Sequence, residues 1–130
     1  MEKKIRKISL ILFCLYVAAV VLLCIIKTES LPELPKTFFG IPFDTIAHFI
    51  MFFPFPILGY TTLYPAGKNF WRDLALVAII CLIGGVFAYS TETLQAMTEY
   101  RTSDIMDIAA DSVGLISGTL VTIVFILFRK

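Results

Sequence analysis

The chain has 130 residues, of which 58% are hydrophobic and 16% charged, with 11 Lys or Arg against 10 Asp or Glu and a mean hydropathy of +0.88. A soluble domain carries about 25% charged residues, and a chain this short has too little interior to hide so much apolar surface, so most of that surface must face lipid. The net charge of +1 removes the electrostatic case for a nucleic-acid partner, so what matters is where the charges sit.

Uncharged or nearly uncharged stretches predict four membrane-crossing helices at about 8–26, 45–64, 74–97 and 104–128. Each is roughly 18 to 25 residues long, which at 1.5 Å per residue matches a hydrocarbon core of about 30 Å. Lipid offers the backbone no hydrogen-bond partner, so the spans are helices and the fold class is all-α: a four-helix transmembrane bundle forming a single domain over 1–130. The first span follows Lys3, Lys4, Arg6 and Lys7, which is also how a signal peptide begins. The apolar run exceeds the roughly 7–15 residues of a signal core, and the flank from Lys27 to Pro32 lacks a small-x-small cleavage site, so an uncleaved helix is expected. Cys14, Cys24 and Cys81 lie inside apolar runs and imply no disulfide framework or metal spacing.

The loop 27–43 carries Pro32, Pro35, Gly40 and Pro42 among apolar residues such as Phe38 and Phe39, so it is expected to lie along the headgroup surface. The second span contains Pro54 and Pro56. These remove the N–H partners of the Ile50 and Phe52 carbonyls, and a kink or break near mid-span follows, tolerated only where neighbours satisfy the backbone. Eight of the eleven Lys and Arg fall in the two termini and the 65–73 loop; Lys27, Lys36 and Arg101 are the other three. The positive-inside rule therefore predicts both termini in the cytoplasm.

With that topology, the polar residues of the last three helices gather at the outer leaflet. They are Asp44 and His48 on the second helix, Glu92 and Gln95 closing the third, Arg101 in the short outer loop, and Asp104, Asp107 and Asp111 on the fourth. No comparable gathering is read at the opposite side. At about 100° per residue, Asp104, Asp107, Asp111, Gly114 and Gly118 form one stripe, which should face the bundle interior because carboxylates on lipid are costly. Gly114 and Gly118 would let another helix approach closely. Asp44 and His48, four apart, share a face, as do Glu92 and Gln95, three apart. Simpler roles stand beside these: Asp44 as an N-cap, Asp104 and Asp107 as an acidic helix start, and Arg101 as a loop charge paired with Glu99.

Five acids against Arg101 and His48 leave the group underneutralised. Carboxylates clustered at low dielectric either share protons or hold a cation, so a divalent cation or a cationic ligand group is a physical expectation, with Asp111 about 10 Å deeper than Asp104. His48, Glu92 and Asp107 are the metal-ligand candidates, a mixed nitrogen and carboxylate set that suits Zn, Mn or Ca without choosing among them. HExxH, GxSxG and Walker patterns are absent.

These residues carry a resemblance to the VanZ-like family, small integral membrane proteins named for a factor giving low-level teicoplanin resistance. Asp44-Thr45-Ile46-Ala47-His48-Phe49, with Phe52 and Leu58-Gly59, is similar to that family's Asp-Lys-x-x-His-Phe opening of an apolar helix. The second block runs Glu92-x-x-Gln95, then Arg101, Asp104, Asp107, Asp111, Gly114 and Gly118. The likeness spans about 41–120. Thr45 stands where Lys is usual, Glu99-Tyr100 where Pro-Gly often precedes the Arg, and Asp111 where Asn is common, so this group is more negative than the family pattern. The resemblance implies a bacterial cytoplasmic-membrane protein and supplies no catalytic residues.

The expected function is a non-enzymatic envelope protein whose outer polar pocket binds a lipid, a lipid-linked cell-wall precursor or a lipoglycopeptide. The alternative is an intramembrane enzyme, metal-dependent or not, in which Glu92 or an Asp serves as base beside His48. Ion conduction is the weakest reading, because the acids stop at Asp111. The first helix, whose polar residues include Ser9 and Tyr16, is free to pack within the monomer or to form the face of a homo-oligomer.

Overall fold

The computed structural model of the protein describes residues 2–26, 36–98 and 104–129. Helix α1, Glu2–Ile25, starts inside the basic N-terminal segment rather than at residue 8. An α-helix satisfies its own backbone in headgroups as well as in hydrocarbon, so the change from charged to apolar side chains marks the membrane boundary and not the helix end. Helices α2, Phe43–Phe52, and α3, Pro54–Leu63, together form the second span. Helix α4, Phe70–Met97, is capped by Asn69, whose side chain accepts from the Arg72 N–H at 3.1 Å. Helix α5, Ile105–Phe128, completes four segments long and apolar enough to cross a bilayer. Many large apolar side chains point outward, among them Leu82, Val86, Ile105 and Phe128, as lipid-facing surfaces require.

The proline break falls where the sequence places it. Phe53 keeps helical angles (φ −56°, ψ −43°) and its N–H still reaches the Phe49 carbonyl at 3.0 Å. The chain is therefore interrupted in its hydrogen bonding and not reversed in direction. Tyr16 on α1 donates its hydroxyl to the Met51 carbonyl, which lies between the two carbonyls the prolines leave without their helical partners and ties α1 to the break. α1 otherwise buries only Ser9, Val20 and Cys24 and packs mainly on α3 and α4.

Helix α5 is the hub, packed most closely on α2 and α4. A Cβ added at Gly114 would meet the Phe49 carbonyl oxygen at 2.6 Å, and one at Gly118 would overlap the Phe53 carbonyl oxygen. Backbone lies against backbone here, which only glycine permits. Phe52, Phe55, Tyr60, Val77, Ile80 and Leu115 fill the space where α2, α3, α4 and α5 meet.

A small antiparallel hairpin precedes α2: β1, Thr37–Phe38, pairs with β2, Ile41–Pro42. Its turn residues Phe39 and Gly40 both have positive φ (51° and 78°), the requirement of a tight primed turn. The remainder of the expected headgroup loop, 27–35, lies outside the described residues. Both termini lie at one end of the bundle: Glu2, Tyr64 and Phe125 border one groove there, and Arg129 bonds the Gly67 carbonyl at 2.9 Å. The start of α2, the end of α4 and the start of α5 lie at the other end.

Candidate functional site

At the end away from the termini, α2 and α5 each contribute two polar residues four apart, so one side of each helix meets the other. His48 is 3% exposed, and its Nδ1 lies 2.9 Å from Asp111 Oδ1. Its Nε2 lies 3.6 Å from Asp107 Oδ2, too far for a hydrogen bond. Asp111 is fully buried, and its Oδ2 has no hydrogen-bond partner among the described residues. Asp44, one turn before His48, is exposed at the rim. Asp44, His48 and Asp107 each bring one ligand-capable atom within 4.8 Å of the others.

Among the described residues, no Lys or Arg forms an ion pair with Asp44, Asp107 or Asp111; the basic side chain nearest Asp107 and Asp111 is His48. A buried carboxylate with an unpartnered oxygen is costly to hold. The cluster is thus underneutralised, with an exposed acid at its rim and a buried one at its base.

The acids divide by role. Asp104 is the N-cap of α5, its side chain accepting from the Met106 N–H at 2.9 Å. Asp107, three residues on, turns inward to His48 and does no capping. Asp44 caps nothing either, since Pro42 holds the cap position of α2 without a side-chain bond. Glu92 is buried and its Oε1 accepts the Asp104 N–H at 2.8 Å, tying the end of α4 to the start of α5. Among the described residues it stands outside the grouping of Asp44, His48 and Asp107, although the sequence made it a ligand candidate. Gln95 is buried on the same face, with its carbonyl accepting from Thr98. Arg101 lies outside the described residues.

Beside the cluster runs an apolar groove of about 390 Å³ between α2 and α5, bordered by Ile41, Thr45, Phe49, Met106, Ala110 and Val113. Asp44 and His48 alternate with Thr45 and Phe49 along α2, and Asp107 and Asp111 flank Ala110 on α5, so polar cluster and apolar groove share the same two helices.

The expectation of no comparable gathering at the terminal end is wrong. Asp73 is 1% exposed there, although it had been read only as part of a loop flank. Its Oδ1 accepts from Arg72 Nε at 3.3 Å and Nη2 at 3.2 Å, and its Oδ2 from Arg129 Nη2 at 3.0 Å. Arg129 also donates to the Tyr60 hydroxyl at 3.1 Å and lies over the Tyr64 ring at 4.8 Å. α4 and α5 run antiparallel, so the first turn of one must lie level with the last residue of the other. An acid at 73 and an arginine at 129 were therefore legible as neighbours.

Four apolar spans built around a shared polar stripe define a multi-pass helical membrane protein with a buried ionisable centre. The VanZ/LLP1 family profile matches residues 8–128, and the chain belongs to that family. No curated protein and no solved structure matches it.

Proposed function

We propose that this is a non-enzymatic protein of the bacterial cytoplasmic membrane, with both termini in the cytoplasm, whose polar cluster opens to the extracytoplasmic leaflet. There it holds the polar head of an envelope amphiphile, a lipid or a lipid-linked cell-wall group. The observation that carries this reading is the juxtaposition on α2 and α5 of an underneutralised polar cluster and an apolar groove, which together match a charged head joined to a hydrocarbon chain. The bias of Lys and Arg toward the terminal end supports the orientation. A protein in this place would alter access to lipid-linked wall material, and reduced teicoplanin susceptibility is the narrower form of the proposal.

Native mass spectrometry of protein released from mild detergent tests it. The wild type should carry a bound amphiphile, and Val113→Trp, which fills the groove, should lose it. Equal lipid content in both proteins would overturn the reading. The narrower claim predicts that expression in a sensitive strain lowers both susceptibility and surface binding of labelled teicoplanin, and unchanged values would remove it.

One contact favours a second reading. Asp111 at 2.9 Å from His48 Nδ1 is the orienting partner of a general base, which suits an intramembrane enzyme acting on a lipid-linked substrate. Turnover of polyprenyl-phosphate or phospholipid substrates, lost in His48→Ala, would support it, and an inert purified protein would remove it.

A further inference from the structure

The geometry points to a divalent cation site formed by Asp44, His48 and Asp107, with Asp111 as the carboxylate that orients the histidine. The 2.9 Å contact between His48 Nδ1 and Asp111 Oδ1 suits the tautomer in which an ionised Asp111 accepts and Nδ1 carries the proton. Nε2 is then left with an in-plane lone pair. This carboxylate–histidine arrangement fixes the tautomer and strengthens the free nitrogen as a ligand, as it does for metal-binding histidines in general. The free nitrogen faces Asp107 Oδ2 at 3.6 Å. That gap is long for a hydrogen bond but close to the separation of two atoms bound to one ion: metal–nitrogen and metal–oxygen bonds of about 2.0–2.2 Å place tetrahedral neighbours about 3.4 Å apart. Asp44 completes a set whose atoms all lie within 4.8 Å of one another, so a modest closure of its rim side chain would bring all three onto one ion.

Charge supports the same assignment. The two ligand carboxylates and a neutral imidazole match a dication, which would cut the charge of the three acids from −3 to −1, whereas the described residues offer those acids no partner with fixed positive charge. The unpartnered Oδ2 of fully buried Asp111 is a second, independent sign that positive charge belongs here. Side chains projecting inward from facing helices of a bundle are a common frame for a metal. One nitrogen and two oxygens favour Zn²⁺ or Mn²⁺ over Ca²⁺, which prefers six or more oxygens. Three protein ligands leave a coordination position open beside exposed Asp44. That position would take the phosphate or carboxylate of an amphiphile head; this last step rests on the proposed function, whereas the cation site does not.

The test uses full-length protein without a histidine tag, purified without chelator, with elemental analysis and titration of Zn²⁺, Mn²⁺ and Co²⁺. Wild type should hold close to one ion per chain. His48→Ala and Asp107→Asn should lose it, and Asp111→Asn should weaken affinity by about 10- to 100-fold. Because a variant can fail to fold, Co²⁺ added to wild type provides a separate readout: visible absorption of a low-symmetry site, displaced by stoichiometric Zn²⁺. A wild type that binds none of the three ions at micromolar concentrations, or equal metal content in wild type and folded His48→Ala, would overturn the site. Metal bound without any co-purifying amphiphile would sustain the cation site and fail the proposed function. Amphiphile bound to metal-free protein would do the reverse.

Discussion

The two ends of the bundle treat buried charge in opposite ways. At the terminal end, both oxygens of Asp73 accept from guanidinium groups, and Arg129 is further engaged by Tyr60 and the Gly67 carbonyl. At the other end, Asp107 and Asp111 share one histidine, Asp44 stands at the rim, and one buried oxygen has no hydrogen-bond partner among the described residues. A closed circuit of charge fastens helices together. An open one stays in a folded protein at a cost to stability, and such costs concentrate at binding sites. The first end is therefore read as a clasp and the second as a site.

The largest effect should come from opening the clasp. Arg129→Met leaves Asp73 buried against only the half-exposed Arg72, and loss of one partner of a buried pair costs about 3–5 kcal/mol. Thermal unfolding in detergent should show a large fall in Tm, and Asp73→Asn added to Arg129→Met should restore most of it. A small fall in the single variant would mean that the clasp contributes little. Next, Gly118→Leu forces a side chain into the Phe53 carbonyl and should cost about 1–3 kcal/mol by overpacking, read in the same melts; a neutral result would contradict the close backbone approach of α5 and the proline break.

At the site end the sign changes. Asp107→Asn removes one of the excess charges and should leave stability within about 1 kcal/mol of wild type, or raise it, while ligand and cation binding are lost. A fall as deep as that of Arg129→Met would show that the two ends do not differ in kind. The smallest effect is expected in the hairpin above the site. Phe39 has φ 51°, and Phe39→Asn should stabilise by up to about 1 kcal/mol, because asparagine tolerates the left-handed region better; a drop in Tm would indicate that the ring makes contacts worth more than the strain.

Much of this was legible in one dimension. The four spans follow from apolar run length, the interruption from Pro54 and Pro56, and the inward stripe from the spacing of Asp107, Asp111, Gly114 and Gly118, although Asp104, counted in the same stripe, is exposed as the cap of α5. What sequence could not give was rotation and pairing between helices. Spacing put Glu92 rather than Asp44 with His48 and Asp107 among the ligand candidates, and only the packing of α4 and α2 around α5 reverses the two, with Glu92 engaged by the Asp104 N–H. Spacing alone left Asp107 open between the inward stripe and a helix-start acid, because the position of the cap depends on where the chain enters α5. Asp73 was missed because an acid beside Arg72 in a polar loop resembles a solvated charge, while its second cation lies 56 residues away in sequence. The hairpin was missed because two-residue strands carry no periodicity.

The claim that joins these parts is that the clasp faces the cytoplasm and the site faces outward. Single cysteines at Lys68, beside the clasp, and Thr98, beside the site, can be compared in a background lacking Cys14, Cys24 and Cys81. On intact cells a membrane-impermeant maleimide should label Thr98→Cys at once and Lys68→Cys only after permeabilisation. The opposite pattern would place the polar cluster in the cytoplasmic leaflet and contradict the account.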